Sequence, residues 1–124
     1  DTAAALALGS CKIINIKPGR VGGYTESRRI HDYCQERHVP VWHGGMDESG
    51  IGRAGNVALA SLPNFTLPGD ISASRRYYKE DIVDPAFEVA PDGTMAVPTG
   101  PGIGVTILED RLERVTVRRE EFRA

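Results

Sequence analysis

The sequence predicts an α/β domain built on a parallel sheet, and three observations carry that expectation. Short β-branched runs, "KIINIK" and "VPVWH", alternate with longer stretches of helical spacing. Each apolar run ends in a glycine-containing loop. The order helix, strand, helix, strand, helix, strand is that of successive βα units, whose crossovers bring strands side by side in parallel.

Each element has a local reason. Residues 1–9, "DTAAALALG", read as a helix closed by a C-terminal glycine. "KIINIK", residues 12–17, reads as a buried strand that ends on Lys17 and breaks into a Pro-Gly loop. Residues 25–37 read as a helix with Thr25 as N-cap and Ile30, Tyr33, Cys34 and Arg37 at helical spacing. Residues 39–43 form a second strand, and residues 52–62, "GRAGNVALASL", a helix rich in small residues. "NFTLPGD", residues 64–70, reads as a third strand. Beyond Asp70 the pattern gives way to loops and short extended pieces, ending in the charged "LEDRLERVTVRREEF".

With 124 residues and 13.5 kDa, the chain has the size of a single domain. Fifteen basic and seventeen acidic residues give a formal charge of -2. That balance, with no basic block, argues against a nucleic-acid surface. No apolar run reaches membrane-span length, and the first residues lack a signal-peptide pattern. Cys11 and Cys34 form no C-x-x-C pair, so both are expected as buried thiols of a cytoplasmic protein rather than zinc ligands or a redox couple.

Alternation along the first strand puts Cys11, Ile13, Asn15 and Lys17 on one face, with Ile14 and Ile16 on the other. One face therefore turns polar toward the C-terminal end of the strand, the end where α/β sheets and barrels build their active sites. Taken alone, Lys17 is either a strand-end lysine reaching into water or a group held for chemistry.

Three blocks bear on that choice: "NIKPGRVGGYTESRRIHDYC", "VPVWHGGMDESGIGRAGNVALASLPNFTLPGD" and "VPTGPGIGV". In this order and spacing they resemble the C-terminal part of the enolase superfamily. Within its muconate-lactonising subgroup, the likeness is greatest to the o-succinylbenzoate synthase and N-acylamino acid racemase group. The resemblance implies the sixth to eighth strands of a modified TIM barrel, (β/α)7β. Residues 1–80 would be a partial barrel, and residues 81–124 a tail returning to a capping domain. It also implies a Mg-dependent (or Mn-dependent) enzyme that abstracts the proton α to a carboxylate, with two lysines as acid and base on opposite faces of the substrate.

On that resemblance Lys17 matches the catalytic lysine ending the sixth strand. Asn15 would lean into the site beside it. Gly44, Gly45 and Met46 match a substrate-contacting loop, although a tight strand-to-helix turn explains the glycines equally well. Asp47 stands where an aliphatic residue is expected, and Tyr77 is a candidate apolar wall. Glu48 is expected to order its loop or cap the next helix and Asp70 to satisfy loop amides, while Arg53, at the start of a helix, is as readily a structural ion-pair partner as anything else. His43 ends the seventh strand, as a catalytic histidine does in mandelate-racemase-like relatives, but it sits one residue out of register. The metal carboxylates belong to strands that would precede this chain, so no metal ligand and no cofactor is expected within it. The resemblance further implies a small carboxylate substrate, a homo-oligomeric parent, and a place in menaquinone biosynthesis if the parent is the synthase. A full barrel takes ~250 residues, so the chain reads as the C-terminal fragment of such an enzyme, inactive by itself. Dipeptide epimerase, muconate cycloisomerase and a non-catalytic truncated fragment are the alternatives.

Overall fold

The computed structural model describes residues 1–123. Helix α1, Thr2–Ala7, is closed by Gly9 in the left-handed region (φ 65°), which lets Ser10 N–H reach back to Ala5 O at 3.0 Å. Strand β1 is Ile14–Ile16. A one-turn helix, α2 (Pro18–Val21), follows directly, where the sequence reading placed a loop. Pro18 sits at its first position, where the missing N–H costs nothing, and Gly22 (φ 96°) ends it.

Helix α3, Tyr24–Gln35, starts on Gly23 rather than on the expected Thr25 cap. Gly23 takes a φ of 101° that a threonine would resist, and Ser27 Oγ donates back to Gly23 O at 2.8 Å. Strand β2, Val41–His43, and helix α4, Gly50–Ala60, complete the second βα unit. The remainder is a 3-10 turn at Ser74–Arg76, a two-residue antiparallel pair of β3 (Val83–Asp84) with β4 (Thr106–Ile107), and helix α5, Glu109–Val115.

β1 and β2 pair in parallel, with Ile14 opposite Val41, Asn15 opposite Trp42 and Ile16 opposite His43. The third strand expected over residues 64–70 does not form. Phe65 bridges Val41 and Asp70 bridges Gly44, so five steps along this segment span three along β2. The surplus bulges around Leu67 and Pro68, and a proline cannot donate to a ladder.

One face of the sheet packs on the helices. Ile16, Cys34, Val41 and Leu59 form the buried cluster there, with Ile30, Tyr33 and Phe65 around them. The other core joins α4 to the tail through Ala54, Val57, Val83 and Phe87. Between α4 and the tail, Arg53 and Asp81 form an ion pair at 3.6 Å, each 1 % exposed in its side chain, so Arg53, whose role the sequence left open, is a structural ion-pair partner. Cys34 is buried as expected, but Cys11 lies ahead of β1 and is only half-buried.

Candidate active site

The ends of β1, β2 and the bulged segment meet at one rim. Gly44 N–H donates to Ile16 O at 2.9 Å, Asp70 N–H to His43 O at 2.8 Å, and Gly45 N–H to Asp70 O at 2.7 Å. Asp70 thus ties the loops together through its backbone rather than through its carboxylate. Lys17, half-buried and at the N-cap of α2, crosses this rim and donates from Nζ to Gly45 O at 3.0 Å.

The two glycines are explained by what approaches them. A Cβ on Gly44 would lie 2.5 Å from Lys17 Cε and 2.6 Å from Asn15 Nδ2, and one on Gly45 would collide with the Asp70 carbonyl. Neither has a positive φ, so a tight turn is not what requires them. Asn15 Nδ2 is buried beside Gly44 and has no hydrogen-bond partner.

Beyond Gly45 the loop borders a cleft lined by Tyr24, Met46, Asp47, Glu48 and Asn56. Met46 is exposed and packs over Gly19. Asp47 is exposed, and its carbonyl accepts the Tyr78 hydroxyl at 2.6 Å. Tyr77 does not line this cleft; its hydroxyl meets Ser72 Oγ at 3.3 Å. The structure therefore brings Lys17, Asn15, Gly44 and Gly45 together, with Met46 and Asp47 on the adjoining cleft and Tyr77 apart.

Glu48 orders the loop, as one of its two expected roles required. Its carboxylate accepts Met46 N–H and Asn56 Nδ2, each at 2.8 Å. Burial opposes its ionisation, yet these hydrogen bonds and the Arg53 charge hold its carboxyl below the usual carboxylate range. Tyr24 completes the shell, its hydroxyl 3.2 Å from Asn56 Oδ1, and burial followed by the Glu48 charge pushes that phenol up. Sequence reading missed Tyr24, Asn56 and Tyr78. Only Tyr24 carries a sequence signal, lying directly after the double glycine that opens α3.

His43 pairs in register with Ile16, so it faces the helices, opposite Lys17. It is 1 % exposed, tilts against Phe65 at 5.9 Å, and neither ring nitrogen has a partner. Desolvation lowers its pKa to about 4, with Lys17 adding to the effect against an opposing pull from Glu48. The unfolded chain takes up this proton below about 6.5, whereas the folded chain resists until about 4. His43 should thus contribute stability above pH 6.5 that is lost as pH falls toward 4, by about 3 kcal/mol. Urea midpoints across this range should fall more steeply for the wild type than for His43→Leu; equal slopes would contradict the assignment.

The rim acids do not fit a magnesium ion. Both Glu48 oxygens are engaged by Met46 and Asn56, and Asp47 and Asp70 are exposed on separate loops. Among the described residues, no group of three or more His, Cys, Asp or Glu side chains is placed to hold a metal. Calorimetry of this chain at millimolar Mg2+ should show no specific site. A single tight site would mean that these acids rearrange to converge.

A family model described as "Enolase C-terminal domain-like" matches residues 1–111. The chain belongs to that enolase superfamily family. An enolase-type frame accounts for the parallel βα units. Among curated members, an N-succinylamino acid racemase from an Amycolatopsis species is 59 % identical over 117 residues, covering 94 % of this chain and 31 % of the relative. An o-succinylbenzoate synthase from Bacillus subtilis (strain 168) is 54 % identical over 122 residues, covering 98 % and 33 %. A solved enolase-superfamily structure from Listeria innocua Clip11262 superposes with a TM-score of 0.85 at 49 % identity, covering 90 % of this chain and 30 % of that one. The chain thus spans about a third of the length of these relatives and corresponds to the C-terminal α/β portion of their barrel domain. No helix among the described residues is long and apolar enough to cross a membrane.

Proposed function

We propose that this chain supplies the sixth to eighth strands of a (β/α)7β barrel in an enzyme that abstracts the proton α to a carboxylate. The complete enzyme, in which a capping domain and five earlier strands precede this chain, would be an o-succinylbenzoate synthase, an N-succinylamino acid racemase, or both. The observation that supports this best is Lys17: an amine at the C-terminal rim, tethered to Gly45 O and seated against a residue that only glycine can fill.

Lys17 takes or returns the α-proton on one face of the substrate. Because Gly44 and Gly45 lack side chains, Lys17 and Asn15 can lie against the backbone at the rim and the Asp70 carbonyl can close on it, which leaves the outer side of this loop for substrate. Met46 offers an apolar surface to the acyl or aryl part, Asp47 borders the same cleft, and Asn15 holds a free amide beside the lysine. Tyr77 would reach the substrate only after moving from Ser72. Residues 81–124 would run back toward the capping domain while anchored on α4 through Asp81, Val83 and Phe87.

Enolase-superfamily enzymes use a divalent metal, and its carboxylate ligands would lie on strands outside this chain. The complete enzyme should lose activity on an N-succinylamino acid or on the dehydration substrate in EDTA and regain it with Mg2+ or Mn2+. Undiminished activity in EDTA would contradict the proposal.

A further inference from the structure

Glu48 lies immediately before the N-cap of α4, where an acid ordinarily serves the helix end. Here that position is taken. The first amide of α4, Gly50 N–H, donates to Asp81 Oδ1 at 2.8 Å, from a residue far along the tail. Glu48 turns the other way, into its own loop. Its Oε2 accepts Met46 N–H, and that N–H belongs to the same planar amide whose carbonyl, Gly45 O, accepts Lys17 Nζ. One peptide group is therefore clamped between an ammonium and a carboxylate.

We propose that Glu48 is a positioning residue for Lys17, acting through the Gly45–Met46 peptide. A carboxylate on the N–H end of an amide draws the group's polarisation toward its carbonyl oxygen. Hydrogen bonds in such a chain strengthen one another, and both ends of this one are charge-assisted. The carbonyl thus holds the ammonium more firmly and in one direction.

The shell around Glu48 is built for this orientation. Asn56, 2 % exposed, donates to Oε1 and is itself held by the Tyr24 hydroxyl. Gly52 leaves room for the stem, since a Cβ there would come within 3.1 Å of Glu48 Cβ. A carboxylate needed only to close the loop would not have to meet the one amide that Lys17 also uses.

This role rests on Lys17 being an acid–base group, and the test separates the two claims. Exchange of the α-proton in D2O is followed by NMR for each enantiomer of an N-succinylamino acid, using the complete enzyme and its Lys17→Ala and Glu48→Gln variants. Lys17→Ala identifies the dependent enantiomer by abolishing its exchange alone. Glu48→Gln keeps the shape and one acceptor oxygen but removes the charge. It should lower the α-proton exchange rate of that same enantiomer at saturation about tenfold, with the half-saturating concentration and the other enantiomer's exchange within about twofold of wild type. The second enantiomer thereby also reports that the variant is folded. If Lys17→Ala is selective but Glu48→Gln is silent or slows both enantiomers equally, Glu48 is only a loop clamp and the inference fails. If Lys17→Ala has no selective effect, the acid–base reading of Lys17 fails first and takes this inference with it.

Discussion

Lys17→Ala in the complete enzyme is expected to reduce turnover by about 100-fold or more. Water admitted to the vacated space has neither the position nor the proton affinity of a held amine. Lys17→Arg should not rescue it, because a guanidinium stays protonated in proteins. A longer side chain would also press on Gly44, where Lys17 Cε already occupies the space of a Cβ. Steady-state kinetics should show the loss in kcat rather than in KM, since the role proposed for this group is on the proton in flight. Turnover within a few-fold of wild type would remove Lys17 from the chemistry.

The second large effect is on stability. Arg53→Met should destabilise the fold by about 3–5 kcal/mol, the usual result of leaving one member of a buried ion pair uncompensated. Asp81 would keep its bonds from Gly50 N–H, Ile82 N–H and Ser74 Oγ but lose its counter-charge in a site sealed from water. The loss should reach the rim as well, because the Arg53 charge helps keep Glu48 ionised. Denaturant unfolding of the variant provides the measurement. A midpoint change equivalent to less than about 1 kcal/mol would mean that water or another cation replaces Arg53.

The parts of this molecule legible in the sequence are those set by short-range pattern. β-Branched runs bounded by glycine marked β1 and β2, and strand alternation placed Asn15 and Lys17 on the face opposite Ile16. Local chemistry misled where two rules competed. Pro18-Gly19 looked like a break, yet proline is also a favoured first residue of a helix, and α2 forms. Thr25 looked like a cap, but the glycine two residues earlier could adopt a conformation that starts α3 sooner. The segment from Phe65 to Asp70 had strand composition, but Pro68 interrupts its ladder.

Other features were invisible because they depend on long-range contact. Asp81 caps α4 across 31 residues, and Asn56 meets Tyr24 across 32. No local spacing encodes either pairing. Glu48 could be expected to order its loop, but its sharing of one amide with Lys17 arises only when β1 and the loop after β2 meet in the fold.

The most direct measurement of the central claim is single-enantiomer α-proton exchange by the complete enzyme carrying Lys17→Ala. If Lys17 serves one face of the substrate and a second lysine outside this chain the other, exchange should vanish for one enantiomer of an N-succinylamino acid and persist for its mirror image. Exchange that persists for both, or is lost equally for both, would contradict the assignment of Lys17 as a one-sided acid–base group.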